Sequence, residues 1–210
     1  MPFVDNYDGK MKEPTLLPVT FPNILVNPNQ GIAVGMASNI CSFNLGEVCD
    51  ATIAYLKSDK EDVTDYILAP DFSTGGELIY NKEEMKSILN SGRGSFKMRG
   101  KYEYVKKENC IEITEIPYTT TIEAIIDKIE DAVKQGKIKE ISDVRDETDL
   151  SGLKLTIDLK RSADPNIVIE KLFKLTTLED TFSCNFNVLI DGMPKVLGCL
   201  LYTSPSPRDT

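Results

Sequence analysis

The alternation of hydrophobic and polar residues is most regular in the second half of the chain. Alternating positions predict β-strands, and hydrophobic residues three and four positions apart predict amphipathic helices. The predicted strands are 95–105, 110–116, 138–144, 153–160, 186–190 and 193–197. Turns predicted at 106–109 and 191–192 join neighbouring strands into hairpins. The segment 153–160 alternates strictly, which predicts a strand with one buried face.

Two helices are predicted between these strands. The first begins at a capping box formed by Thr120 and Glu123, and the second begins at Pro165 with Asp164 as its N-cap. Their hydrophobic positions are Ile122, Ile125, Ile126, Ile129 and Val133 in the first helix and Ile167, Leu172 and Leu175 in the second. From Cys110 onward the order is therefore strand, helix, strand, strand, helix, strand. That order is typical of the split β-α-β arrangement of ferredoxin-like folds, so we expect an α+β layer extended at its edges.

The first half contains fewer regular elements. An amphipathic helix is predicted over 45–57, with Asn44 as N-cap and Glu47 in the capping-box position. Its apolar face is predicted to contain Leu45, Val48, Thr52, Ile53 and Leu56. A short strand at 77–80 and a short helix at 82–89 follow.

Composition shifts along the chain predict its division into regions. A turn cluster at 70–76 is expected to end a first region at 1–76, and an α+β domain is expected over 77–198. The last stretch, 199–210, changes to a Ser- and Pro-rich composition with no pattern to bury, so we expect disorder there.

Residues 14–46 carry no charge, although 27% of the whole chain is charged. Proline, glycine and asparagine interrupt the segment, so it is neither one long helix nor a membrane span. Two interpretations are open. The segment is either a loop buried under neighbouring elements, or it presents Ile32, just after a glycine, to a partner. Periodicity by itself favours the buried loop.

The overall charge narrows the function classes. A net charge of −9 and a pI near 4.7 argue against wholesale electrostatic attraction to nucleic acid or anionic lipid, although a local basic patch remains compatible with them. The five cysteines are widely spaced, which favours reduced thiols over a disulfide framework, and the lack of histidine excludes imidazole-based triads and metal sites. No secretory leader opens the sequence, so we expect a cytoplasmic protein with no membrane contact.

Enzyme motifs are scarce. The glycines Gly31 and Gly35 lack the spacing and the Lys-Ser/Thr that phosphate loops require. Four carboxylates after a predicted strand could be imagined to hold a metal, but Arg145 among them favours a solvated, salt-bridged loop. The four are Asp143, Asp146, Glu147 and Asp149.

One segment is basic in an otherwise acidic chain. Residues 93–107 contain six basic residues and a single acid, and Lys97, Arg99 and Lys101 share one face by strand periodicity. Such a face could contact phosphates, with Arg93, Lys97 and Arg99 as the candidate phosphate-binding residues. Alternatively, the charges protect an exposed edge strand from aggregation.

The chain resembles the A subunit of the bacterial type IIA DNA topoisomerases, the family formed by the A subunits of DNA gyrase and of topoisomerase IV. The resemblance extends over about residues 3–198. Its segments are Phe-Val-Asp-Asn-Tyr-Asp-Gly at 3–9, Phe-Pro-Asn-Ile-Leu-Val-Asn at 21–27, Gly-Ile-Ala-Val-Gly-Met-Ala-Ser-Asn-Ile at 31–40, Pro-Asp-Phe at 70–72, Gly-Arg-Gly at 92–94, Glu-Ile-Pro-Tyr at 115–118, Ile-Ser-Asp-Val-Arg-Asp-Glu at 141–147 and Asp-Gly-Met-Pro-Lys-Val-Leu at 191–197, besides Leu-Pro at 17–18.

The resemblance implies a piece of the DNA breakage-reunion core, namely the tower region that supports and bends the gate DNA segment, with residues 1–76 at the end of the DNA gate. The isoleucine that wedges between base pairs in this family corresponds to Ile32. Gly31 next to it, together with Asn27 and Gln30 in the same loop, is expected to face DNA. The family's catalytic tyrosine directly follows an arginine, and the chain contains no Arg-Tyr pair, so we expect no catalytic residue here.

Partners and cofactors are likewise implied by the resemblance. The partners are double-stranded DNA, the topoisomerase B subunit, and a second copy of the A subunit, in an A2B2 heterotetramer whose ATP and Mg2+ are on the B subunit. The parent protein would be an ATP-hydrolysing type II topoisomerase, and this fragment alone would be inactive, with no cofactor or metal of its own. The alternative is a nucleic-acid-binding or ligand-regulatory ferredoxin-like module without enzymatic activity. The resemblance is expected to stop at Gly198, with a tail at 199–210 that resembles non-native read-through.

Overall fold

The computed structural model describes residues 2–15, 19–58, 62–190 and 192–199. The Leu-Pro pair at 17–18, Asp191 of the predicted turn and the predicted disordered tail at 200–210 lie outside the described residues. The strands are β1 (Phe3–Asp5), β2 (Lys12–Pro14), β3 (Asn29–Ala33), β4 (Met36–Ile40), β5 (Glu77–Ile79), β6 (Arg93–Arg99), β7 (Lys101–Val105), β8 (Cys110–Glu115), β9 (Ile141–Asp146), β10 (Leu155–Leu159), β11 (Glu179–Asn185), β12 (Asn187–Ile190) and β13 (Met193–Val196). The helices are α1 (Asn23–Val26), α2 (Leu45–Lys57), α3 (Lys82–Ser91), α4 (Ile122–Lys134) and α5 (Pro165–Leu175), with a 3-10 turn at Val63–Asp65.

These elements form two larger antiparallel sheets and two separate hairpins. The five-stranded sheet has the order β3-β4-β11-β6-β5, and the four-stranded sheet has the order β7-β8-β10-β9. The hairpins are β1-β2 and β12-β13. Helices and antiparallel sheets in this mixture confirm the α+β class.

The predicted ferredoxin-like layer is wrong in its fourth strand. Strands β8, β10 and β9 are neighbours, as that arrangement requires, but β7 occupies the position beside β8. The predicted fourth strand, 186–190, is β12, which forms the predicted hairpin with β13 and not an edge of this sheet. Strand β11, which was not predicted, joins β6 and β4 in the five-stranded sheet. The physical reason is local: the tight turn after Val105 brings β7 against β8 with little loop entropy, and this fills the edge that a fourth strand would need.

Gly100 divides the predicted strand 95–105 into β6 and β7, which lie in different sheets. Its N–H donates to the carbonyl of Leu178 at 2.8 Å. A Cβ at this position would collide with the Leu178 side chain and would lie 2.8 Å from the carbonyl oxygen of Glu115. Only glycine lets the three segments approach this closely.

Each larger sheet has its own hydrophobic core. The first core packs α2 and α3 against the five-stranded sheet around Phe43, Phe96 and Phe182, and the rings of Phe96 and Phe182 stack at 5.3 Å. The second core packs α4 and α5 against the four-stranded sheet. The predicted boundary after residue 76 stays a prediction, but the first core contains residues from both sides of it, including Phe72 and Met85.

The helices occur where predicted, yet their buried faces differ. Helix α4 buries Ile125 and Ile129 as expected. In α2 the buried residues are Val48, Ala51 and Ala54, whereas the predicted face residues Leu45, Ile53 and Leu56 are exposed. In α5, Val168, Ile169 and Leu172 are buried and Ile167 is exposed. The alanines of α2 let this helix approach its neighbours closely, so the face that contains them is buried. The size of the side chains alone does not reveal this choice of face.

The capping predictions are confirmed in part. Asn44 caps α2 by accepting from the Gly46 and Glu47 N–H groups, and Asp164 caps α5. Glu47 does not close a reciprocal box, because its carboxylate accepts from the Leu68 N–H at 3.1 Å. In α4 the cap is Thr121 and not Thr120 (Thr121 accepts from the Ala124 N–H).

Strand β10 is buried on both of its faces. Thr156 in the middle of β10 is as buried as Leu155 and Ile157, so the prediction of one buried face is wrong. The strand lies between β8 and β9, and the Thr156 hydroxyl donates a hydrogen bond to the Glu147 carboxylate at 3.0 Å.

Among the described helices, none has the length and hydrophobicity needed to cross a bilayer.

Candidate nucleic-acid interface

The uncharged segment forms a β-hairpin at one edge of the five-stranded sheet. Strands β3 and β4 pair from Asn29 with Ile40 to Ala33 with Met36, and the turn between them is Val34-Gly35. Gly35 adopts a positive φ of 80°, a backbone region that favours glycine. The sequence therefore places one required glycine at the end of a neutral two-stranded hairpin.

Ile32 lies near the end of this hairpin and is 94% exposed. The residues of the uncharged segment that are buried in the first core lie at the base of the hairpin or outside it, namely Leu25, Ile40, Cys41 and Phe43. The buried-loop interpretation of Ile32 is therefore wrong. An isoleucine this exposed on an uncharged hairpin is a candidate contact residue, because nothing within the described chain covers its hydrophobic surface.

Strand pairing brings most of the predicted site residues onto one face of the sheet. Directly paired residues share a face, and so do residues two apart in one strand. Gln30 pairs with Asn39, Asn39 with Asn185, and Asn185 with Arg93. This cross-strand row, opposite to the buried face, continues along β3 to Ile32.

Lys97 and Arg99 lie on the same outward face, four and six residues after Arg93 in β6, while Phe96 and Met98 point into the core. Five predicted residues thus share one face of the sheet: Gln30, Ile32, Arg93, Lys97 and Arg99. Ile32 lies on one side of the row from Gln30 to Arg93, and Lys97 and Arg99 lie on the other side. The other two are apart. Gly31 lies on the opposite face of β3, and Asn27 precedes the hairpin, where its side chain donates to Asn23.

Strand β6 pairs with β11 along its whole length, whereas β5 pairs with its other side only from Lys97 to Arg99. The edge-protection interpretation is therefore wrong for Lys97 and Arg99, and Arg93 lies beyond the part of β6 that β5 covers. Lys101 does not share its face either, because it lies in β7 and pairs with Glu115 at 3.6 Å.

Two of the three basic candidate residues, Lys97 and Arg99, form ion pairs with another residue of the protein. Glu179 of β11 accepts from Arg99 at 2.6 Å and from Lys97 at 3.2 Å, and the Arg99 guanidinium lies 4.7 Å from the Phe173 ring centroid. Burial acts to raise the pKa of Glu179, but the hydrogen bonds and charges of Arg99 and Lys97 outweigh it and hold that pKa below its ordinary value. Arg93 forms no ion pair with any described residue, so it is the cation most available to a phosphate.

The acidic residues at 143–149, in β9 and the loop after it, lie among ion pairs on the surface. Arg145 bonds Glu147 at 2.8 Å and Asp158 at 3.1 Å, and Lys154 bonds Glu112 at 2.9 Å. This confirms the interpretation of ion pairs around Arg145.

A separate group, Glu108, Cys110 and Glu112, has ligand atoms close enough together to hold a metal ion. The Lys154 ammonium already neutralises Glu112, at 2.9 Å. Burial, with the charge of Glu112, raises the pKa of the Cys110 thiol. Both effects oppose metal binding at this position.

The sequence did not reveal the asparagines that join the hairpin to the sheet. Asn39, Asn185 and Asn187 join β4 of the hairpin to β11 and β12, although Asn185 and its partner Ala37 are 148 residues apart along the chain. No periodicity or motif carries a signal for contacts over such a separation.

Comparison with known proteins identifies the family. A family model for the A subunit of DNA gyrase/topoisomerase IV matches residues 1–202. The chain belongs to this family. It is 45% identical to the DNA gyrase A subunit of Metamycoplasma arthritidis and 42% identical to that of Streptomyces coelicolor. It is also 41% identical to the chloroplastic/mitochondrial DNA gyrase A subunit of Nicotiana benthamiana.

Each of these matches covers 93% of the chain, which spans 22–24% of the length of these relatives. The family match extends to residue 202, four residues beyond the expected end at Gly198, and the nature of the tail stays a prediction. Cys199 also belongs to the protein's core: it is fully buried in the same cluster as Cys41 and Cys184, and burial raises the pKa of its thiol to about 12.

Proposed function

We propose that this chain is the part of a type II topoisomerase A subunit that binds and bends the gate DNA segment, with Ile32 as an intercalating wedge. The observation that carries the proposal is the 94% exposure of Ile32 near the end of an uncharged hairpin. Insertion of an apolar side chain between base pairs costs about a few kcal/mol of unstacking, and the resulting bend brings more DNA into contact with protein.

The neighbouring residues of the same sheet face fit this role. Gln30 is two residues before Ile32 in β3, and Arg93 lies three strands away in the same cross-strand row. Contacts to phosphates position a protein on DNA, whereas the insertion of a wedge depends on the free energy needed to deform the duplex. The proposed interface therefore separates the two tasks: Arg93, with Lys97 and Arg99 behind it, attracts the backbone, and Ile32 deforms the stack.

In the parent enzyme this interface would work within an A2B2 heterotetramer. One duplex would pass through a transient, tyrosine-linked break in another, with the ATP and Mg2+ on the B subunit. This segment would supply DNA binding and bending in the cytoplasm and no catalytic residue. By itself it would neither cleave DNA nor hydrolyse ATP.

The test is Ile32→Ala in the full-length A subunit that contains this sequence, paired with B. We expect DNA bending, measured by energy transfer between dyes at the two duplex ends, and DNA cleavage to fall about tenfold or more, since burial of an isoleucine contributes about 1.5–3 kcal/mol. The melting temperature should not change, because Ile32 contacts no core residue.

The matched control is Leu150→Ala, which removes an equally exposed hydrophobic side chain in the loop between β9 and β10. It should leave bending and cleavage at the wild-type level. Wild-type bending by the Ile32→Ala enzyme would exclude the wedge.

A further inference from the structure

The β3–β4 hairpin is joined to the rest of its sheet largely by side chains. Strand β11 pairs with β6 along its whole length, from Glu179 to Asn185. By contrast, β11 pairs with β4 at a single position, Asn185 with Asn39. A hairpin held by one backbone pair would be free to tilt, unless other groups fix it.

Three asparagine amides supply the missing attachment. The Asn185 and Asn187 side-chain N–H groups both donate to the Ala37 carbonyl, at 2.8 Å and 3.2 Å. In the other direction, the Asn39 amide donates to the Ser183 carbonyl at 2.6 Å. We call Asn39, Asn185 and Asn187 the asparagine clamp.

The clamp acts at the residue that faces the proposed wedge. Ala37 is the pairing partner of Ile32 across the hairpin. Strand β11 ends at Asn185, and β12, which follows it and lies close to β4, forms no backbone ladder with β4. An asparagine side chain carries the same amide group as a peptide unit, and here it supplies hydrogen bonds that such a ladder would make.

The clamp also leaves polar atoms unsatisfied. The side-chain oxygens of all three asparagines are buried and have no hydrogen-bond partner within the described ranges. An unpaired buried acceptor reduces stability, so each one in a native structure calls for an explanation, such as a functional constraint or a bound water. All three belong to the side chains that join β4 to β11 and β12.

We infer that the asparagine clamp positions Ile32, by fixing the direction in which the hairpin leaves the sheet. The inference rests on the proposed wedge function. The clamp residues are positioning residues: they act through Ala37 and the hairpin and need no contact with the bases.

The test replaces Asn185 and Asn187 by leucine in the full-length A subunit paired with B. Leucine has a similar volume, adds no charge near DNA, and removes the unpaired oxygen together with the donor. The readouts are the fluorescence of 2-aminopurine placed at the kinked base step, DNA bending, the DNA dissociation constant and the melting temperature. Asn166→Leu is the matched control, because Asn166 is an exposed asparagine on α5, away from the hairpin.

We expect the 2-aminopurine signal and the bent fraction at saturating DNA to fall about threefold to tenfold, the worth of one or two hydrogen bonds. The melting temperature should stay equal or rise. A purely structural role would produce the opposite pattern, with a lowered melting temperature and unchanged bending of the molecules that remain folded, and would overturn the inference.

Combination with Ile32→Ala separates the two proposals. If the leucine variant weakens bending in the wild-type background but has no further effect on Ile32→Ala, the clamp works through the wedge. If Ile32→Ala weakens bending and the leucine variant does not, the clamp is overturned and the wedge stands. If Ile32→Ala has no effect on bending, both are overturned.

Discussion

At the scale of single residues, ion pairing decides which basic side chains of β6 remain available to a ligand such as a phosphate. Lys97 and Arg99 look equivalent to Arg93 in the sequence, but both are bound by Glu179, whose side chain is only 17% exposed. Counting basic residues therefore overstates the interface. The arrangement also makes Glu179 a carboxylate whose ionised form is stabilised by folding.

This gives a prediction for Glu179→Gln. A carboxyl whose pKa is lowered by folding stabilises the protein above its ordinary pKa and loses that contribution as the pH falls through the folded value. We expect the variant to lose about 1 kcal/mol of unfolding free energy near neutral pH, because Lys97 and Arg99 are partly exposed and screened. The difference from wild type should shrink below pH 4.5, the ordinary value for this carboxyl.

Denaturant unfolding at several pH values measures this difference. Glu13→Gln is the control, since Glu13 is exposed on β2 and forms no ion pair with the residues that the structure describes. A pH-independent difference for Glu179→Gln would show that the carboxylate charge is not what stabilises this contact.

At the scale of elements, short polar side chains decide where helices begin. Helix α4 is preceded by three consecutive threonines, 119–121, and the pattern with Glu123 suggested Thr120 as the cap. In the structure the Thr121 hydroxyl accepts from the Ala124 N–H at 3.3 Å, while the Thr120 hydroxyl bonds that of Thr177 at 2.7 Å. Tertiary contact with Thr177 removes Thr120 from the capping role.

Substitution of these two threonines distinguishes the roles. Thr121→Ala should lower the free energy of unfolding by about 1 kcal/mol and speed amide hydrogen exchange at Ala124, since the N–H loses its acceptor. Thr120→Ala should leave exchange at Ala124 at the wild-type rate. Faster exchange in the Thr120 variant alone would place the cap one residue earlier.

At the scale of the whole molecule, the two sheets meet where the chain crosses between them. The first crossing is Gly100, between β6 and β7, and the second is Leu178, just before β11. The two crossings are hydrogen-bonded to each other at 2.8 Å. Leu178 is fully buried in the second core, so this contact connects the five-stranded sheet to the four-stranded one.

Gly100→Ala tests this junction. The added methyl group would collide with Leu178 and lie 2.8 Å from a backbone carbonyl, which cannot move cheaply, so we expect a loss of about 1–3 kcal/mol in unfolding free energy. Gly31→Ala is the matched control, because no atom lies within 4 Å of the position of its Cβ. Thermal or denaturant unfolding measures both. Equal stabilities would mean that the sheets tolerate a wider separation.

The sequence by itself determined the features that depend on near neighbours. The caps Asn44 and Asp164 and the hairpin turn at 106–109 were correctly located, because each arises from residues a few positions apart. The α+β class followed from the same local periodicities. For the candidate site, charge predicted the basic residues of β6, and the family resemblance favoured the exposed over the buried interpretation of Ile32.

The tertiary structure alone decided which strands share a sheet and which site residues meet. Nothing near Asn185 in the sequence indicates that its amide bonds Ala37, 148 residues away, or that Glu179 holds Lys97, 82 residues away. Such pairings are selected by the competition of whole strands for the same sheet edges and by the volume that the cores must fill. The exposure of Ile32 is a result of that competition: the rest of the segment is held by the sheet, and the end of the hairpin is left outside it.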